Sequence, residues 1–178
     1  SRPWLLSSIM RDIRVAAAQF ESRENDRAYN LGRIRELTAR AVGQGAEIVS
    51  FHEVCIPGYS WMQPLGREEL RALAEPVPDG PSTQALIEIA RAHGVIVMAG
   101  LVERGPGEAV YNSYVAVSGE GLLARHHKLH PFINPHLTGG AGYTVFEARG
   151  CTLGILTCYD NNLVENARVT ALLGAEIV

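Results

Sequence analysis

The chain has 178 residues, 47% of them hydrophobic and 20% charged, with a formal net charge of −3 and a pI near 6.1. That balance excludes a disordered or collagen-like segment and leaves no basic surface for phosphate backbones, so nucleic acid is not an expected partner. One domain of this length can bury a sizeable core without disulfides or a structural metal. Three cysteines, Cys55, Cys151 and Cys158, show no C-x-x-C spacing, and the odd count suits a reducing cytoplasm. No apolar run approaches the roughly 18 residues of a spanning helix. Trp4-Leu5-Leu6 is too short for a signal-peptide core, so neither membrane association nor secretion is expected. Residues 1–10 read as an extension, and residues 11–178 as the folded domain.

Ile13 to Phe20 reads as a mostly buried strand, after which the polar run Glu21 to Asp26 supplies capping residues. Leu31, Ile34, Leu37, Ala41 and Val42 then recur at helical spacing, and Gly43 and Gly45 stop that helix before a short buried strand, Ala46 to Phe51. A second unit repeats the order. Pro81 and Ser82 open a helix carrying Leu86, Ile89 and Ala90, and Gly94 closes it before Val95 to Leu101. Val110 to Val117 and Leu122 to His126 flank the turn Ser118-Gly119-Glu120-Gly121 and predict a hairpin. After a Pro/Gly-rich loop, Tyr143 to Ala148 and Thr152 to Thr157 predict another, joined at Arg149-Gly150, and Leu163 to Leu173 predicts a last helix. Strand and helix mix in an α/β or α+β plan.

Gly45-Ala46-Glu47-Ile48-Val49 recurs as Gly174-Ala175-Glu176-Ile177-Val178, each copy after an amphipathic helix, which suggests an internal duplication. The first copy runs on into Phe51-His52-Glu53, whereas the second ends within its strand. A domain cut short at its C-terminal end is the expectation.

Cys158 ends a strand-like run just before a helix. A thiol at such an elbow lies near helix N–H groups that favour a thiolate and stabilise an oxyanion, though a lone cysteine is also a common small hydrophobe. Glu53 follows a buried strand and precedes the turn Ile56-Pro57-Gly58-Tyr59, a place where a carboxylate is paired, solvated or a general base. Lys128 ends a strand in Arg125-His126-His127-Lys128-Leu129-His130-Pro131, where its ammonium is either a surface charge or a fixed charge for an oxyanion. His126, His127, His130 and His136 invite a rival zinc reading. Strand alternation sends adjacent His126 and His127 to opposite faces, however, which disfavours one shared metal.

Glu53, Lys128 and Cys158, in that order and each at a strand end, resemble the Glu-Lys-Cys triad of the nitrilase superfamily. Phe51-His52-Glu53-Val54-Cys55-Ile56-Pro57-Gly58-Tyr59 is similar to its Pro-Glu-x-x-x-x-Gly-Tyr segment, with His52 in place of proline, and Arg125 to His130 to its Arg-Lys-x-His segment. Cys158-Tyr159-Asp160, Glu165 and Arg168 stand where the family has Cys-Tyr-Asp-x-x-Phe-Pro-Glu-x-x-Arg, with Leu163 and Val164 replacing Phe-Pro. The resemblance implies an αββα sandwich with internal pseudo-symmetry, members that assemble as homo-oligomers, and roughly another hundred residues beyond this stretch. It also implies Cys158 as nucleophile, Glu53 as general base and acid, Lys128 and the Tyr159 N–H at the oxyanion, and Tyr59 beside the substrate. Many members carry a second glutamate between lysine and cysteine. Here the only acid in that interval is Glu147, read as structural, so Asn134 or His136 is expected to take the place.

What the resemblance implies about activity is hydrolysis of a non-peptide carbon–nitrogen bond through a thioester, without metal or organic cofactor. Cys-Tyr-Asp favours an aliphatic amide or N-carbamoyl compound over a nitrile, the acyl pocket drawing on loops such as Trp61 to Leu65. The alternative class is a catalytically incompetent scaffold of the same fold that only binds small molecules or partners.

Overall fold

The structure is a computed structural model that describes residues 12–178; the expected extension, residues 1–10, lies outside them. Strands β1 (Val15–Ala17), β2 (Ile48–Ser50), β3 (Ile96–Arg104), β4 (Val110–Ser118) and β5 (Gly121–His127) form one sheet in sequence order. β1, β2 and β3 run parallel, and β3, β4 and β5 antiparallel. Helix α1 (Arg27–Gly43) makes the first crossover, short α2 (Arg67–Leu73) and α3 (Pro81–His93) the second. The Asp26 carboxylate caps α1 by accepting the Tyr29 N–H at 3.0 Å, and Gly94 ends α3 in the left-handed region at φ 62°, as Gly after a helix commonly does.

Alternation along the strands sorts side chains between two cores. Val97, Ala99 and Leu101 of β3 face α1 and α3, meeting Ile34, Leu86 and Ile89. Ile96 and Met98 face the other way and meet Leu153 and Ile155. Those two residues belong to β7 (Cys151–Ile155), paired with β6 (Thr144–Ala148) as an antiparallel ribbon. Between them Gly154 points outward, where a Cβ would strike Thr170 of α4 (Val164–Leu172). The layers are therefore helix, sheet, sheet, helix, the αββα order that the resemblance implies.

The repeated pentapeptide builds the same turn twice. Gly45 and Gly174 take φ of 85° and 105°, conformations that glycine adopts without steric cost. Glu47 N–H donates to Arg14 C=O and Glu176 N–H to Thr152 C=O, both at 2.8 Å. Each glutamate also accepts the partner's N–H through its carboxylate. Ile48 pairs parallel with Val15 and Ile177 with Leu153, so the duplication extends to strand register.

Candidate active site

Glu53 lies just past β2, where the chain continues alongside the middle of β3: Phe51 N–H donates to Met98 C=O and Ile56 N–H to Gly100 C=O. Val54 between them has φ 47° and is fully buried, a left-handed conformation that a β-branched residue adopts only under constraint. Gly100 beneath makes room, since a Cβ there would overlap the Val54 amide. The Glu53 carboxylate is 13% exposed. Its Oε1 accepts from Lys128 Nζ and from Asn112 Nδ2, each at 2.6 Å.

Lys128 extends the β4–β5 ladder by one residue, its N–H donating to Asn112 C=O at 2.9 Å. Its side chain is 1% exposed, and a charge that deep requires a partner; Glu53 supplies it, and the Phe132 ring lies 5.0 Å from the ammonium.

Cys158 opens a short 3-10 stretch, Cys158–Asn162, that separates β7 from α4. The expected helix N-terminus therefore begins six residues later, and the cysteine is exposed at φ 50°. Strain of this kind, costing on the order of 1–3 kcal/mol, clusters where a side chain must be presented rather than packed. Desolvation, together with a hydrogen bond to Glu53 and its negative charge, pushes the thiol above its ordinary range, against the lowering pull of Lys128 and the Tyr159 N–H.

Asp160, two residues on, is fully buried. Its two oxygens accept the N–H groups of Leu129 and His130, each at 2.9 Å, and His126 Nε2 lies 3.9 Å away. Burial alone would raise this carboxyl, but His126 and the two amides outweigh it and hold it below the usual range.

The other expected residues divide. Tyr59 lines the same 660 Å³ cavity as Glu53 and Cys158, and its phenol is pushed up to about 12 by desolvation and the negative charges of Glu53 and Cys158. The Tyr159 ring is exposed, edge-on to Phe132 and His130. Asn134 and His136, expected in the place of the family's second glutamate, sit on the loop after Lys128. The Asn134 amide donates to Met62 and Leu65 C=O at 2.9 and 2.8 Å, and its oxygen accepts the His136 N–H at 2.8 Å. These bonds brace the loop, and neither residue is among those lining the cavity with Glu53, Tyr59 and Cys158. The polar side chain that does join the Glu53–Lys128 pair is Asn112, whose signal was a polar residue inside the apolar run Val110 to Val117. Glu147 is exposed on β6, beside a separate surface cavity with Arg149 and Gly94. His126 and His127 do point to opposite faces, the first to Thr144, the second to Glu103 with its ring stacked on Tyr111.

A carboxylate, a buried ammonium and an exposed thiol thus converge at the end of a two-sheet αββα sandwich. Residues 14–178 match the carbon-nitrogen hydrolase family, and the chain belongs to it. It is 31% identical to a nitrilase of Pyrococcus abyssi over 93% of this chain and 63% of the relative. With an (R)-stereoselective amidase of Pseudomonas it shares 33% identity over 93% of this chain and 58% of the relative. Among solved structures, a cysteine-to-alanine variant of the Nesterenkonia amidase in complex with butyramide superposes with a TM-score of 0.76 at 26% identity, covering 93% of this chain and 63% of that one. The chain therefore spans about three-fifths of the length of the relatives it matches. Among the described residues no helix is long and apolar enough to cross a membrane.

Proposed function

We propose that this chain carries the catalytic centre of a cysteine-dependent hydrolase of small aliphatic amides or N-carbamoyl compounds. The observation that carries the reading is the division of labour at Glu53. One oxygen is held by Lys128 and Asn112, while the carboxylate also meets the raised thiol of Cys158. A carboxylate fixed by a buried ammonium and placed beside the thiol is positioned to act as its base.

In the proposed reaction Glu53 takes the Cys158 proton as sulfur attacks the amide carbon. Lys128 and the Tyr159 N–H receive the developing oxyanion. The proton passes from Glu53 to the departing nitrogen, ammonia leaves, and a thioester remains. Glu53 then deprotonates water, which attacks the thioester carbon and releases the acid and the thiol. Amide rather than nitrile is supported by the amidase relatives and by Tyr159-Asp160 after the cysteine. Assembly of copies through the α4 layer is part of the proposal, supported by Val164, Leu172 and Leu173, which are 71%, 77% and 52% exposed. A reducing cytoplasmic setting is supported by three free cysteines.

The test is ammonia release from short aliphatic amides and N-carbamoyl amino acids, with the Cys158→Ala variant in parallel. Release that vanishes in the variant while its circular dichroism is unchanged is the expected result. Release that survives Cys158→Ala refutes the scheme.

A further inference from the structure

We propose that Asp160 is a positioning residue of this centre: its carboxylate ties the backbone that follows Lys128 to the turn that carries Cys158, and so holds the ammonium against the thiol. The inference rests on the triad reading above.

Lys128 is the last residue held by the sheet, through the Asn112 C=O. Its own C=O accepts the Gly140 N–H at 2.9 Å, and the chain then leaves β5 for a loop. Cys158 sits on the other layer, at the head of a strained turn. Nothing in the strand ladders fixes one layer against the other at this point, because β5 and β7 belong to different sheets. Asp160 spans the gap. The N–H groups of Leu129 and His130 converge on its two oxygens, its N–H donates to Thr157 C=O at 3.1 Å, and its C=O accepts from Asn166 Nδ2 at 2.9 Å.

A carboxylate with no exposed surface is costly unless satisfied, and two charge-assisted amide bonds are stronger and more directional than neutral ones. Only a group with two acceptor oxygens can take both amides. Asparagine, the same size, would set an N–H₂ against one of them. The titratable groups around the two ends are His126 at Asp160 and Glu53, Lys128 and Tyr59 at Cys158.

Iodoacetamide alkylation of Cys158 as a function of pH, followed by peptide mass spectrometry, reads the thiolate without needing a substrate. Cys55 and Cys151 are buried and do not interfere. Lys128→Met removes the charge that lowers the thiol and sets the full upward shift of the midpoint. Asp160→Asn should move it the same way by about half to one pH unit, hence about three- to ten-fold slower alkylation below the midpoint. His126→Gln, which leaves both amide bonds in place, should move it much less. A wild-type midpoint in Asp160→Asn beside a shifted Lys128→Met overturns the positioning role and leaves the triad standing. No shift in Lys128→Met removes Lys128 from the centre. An equal shift in His126→Gln assigns the effect to buried charge rather than to the tether, and overturns the proposal. Should Asp160→Asn not fold, amide exchange in the unmodified protein decides: Leu129 and His130 are expected to exchange far more slowly than exposed Gly142, and equal rates overturn the tether.

Discussion

The two Gly-Ala-Glu-Ile-Val segments have the same turn, the same backbone bonds and the same parallel register, yet Val49 is fully buried and Val178 is 58% exposed. Ile48 and Val49 have strands on both sides, β1 and β3. Ile177 pairs with β7 alone among the described residues. Local sequence therefore specifies the helix stop and the strand start, through the glycine's φ and the glutamate's reach to the neighbouring amide. Burial is conferred by which strands lie alongside. The same lesson applies to the helices. In α1, Asn30, Ile34 and Thr38 are buried, while α4 turns Val164 and Leu172 to solvent.

The strongest way to break this comparison is to truncate the matched isoleucines. Ile48→Ala removes a fully buried side chain from the inner core and should cost about 2–5 kcal/mol. Ile177→Ala, half-buried at the margin of the inner core, should cost less than half as much. Urea unfolding of both variants measures the gap. Equal losses would mean that the second segment is as deeply packed as the first.

A smaller effect separates the two helix contacts. Where the first unit has Ala16 under Ala41, both packed on the outer core, the second has Gly154 under Thr170, whose methyl would overlap a Cβ at Gly154. Gly154→Ala should destabilise by about 1–3 kcal/mol through overpacking. Adding Thr170→Ala recreates the alanine pair of the first unit and should recover most of that loss, though Thr170 also gives up its bond to Asn166 C=O. A double variant no more stable than Gly154→Ala would show that the two units differ in backbone spacing and not merely in side-chain size.

These pairs also show what was legible beforehand. Every strand and the three longer helices follow from period and punctuation, with ends displaced by a few residues where side chains stop facing a core. α2 was not foreseen: its seven residues give too little period, and its start is marked only by Glu69 reaching back to the Gly66 N–H. Glu53, Lys128 and Cys158 stood out because each ends a strand-like run and their flanks together resemble the motifs of one family. Asn112 and Asp160 did not, because their roles depend on partners 59 and 30 or 31 residues away on other elements. Asn134 attracted attention through its place between lysine and cysteine, but position in the chain does not say where an amide's hydrogens go.

The mildest test compares buried carboxylates held in two ways. Glu103, on the outer face of the first sheet, is held by side chains: Ser113 Oγ at 2.6 Å, His127 Nε2 at 2.9 Å and Arg125 at 3.0 Å. Asp160 relies mainly on backbone amides. Burial would raise the Glu103 carboxyl, but His127 and Ser113, with the charge of Arg125, outweigh it and hold it below its ordinary range. The unfolded chain, with its carboxyl near 4.3, then binds more protons than the folded one between the two values. The stabilisation is complete above that unfolded value and is lost as pH falls through the depressed folded one. Glu103→Gln should therefore be less stable than the parent at pH 7 and converge with it towards pH 3, read as urea midpoints across that range. Parallel curves would show that Glu103 is not linked to folding. Because Arg125 is 44% exposed, salt should screen its share and leave the Ser113 bond intact, so the gap at pH 7 should narrow only slightly in about 0.5 M salt.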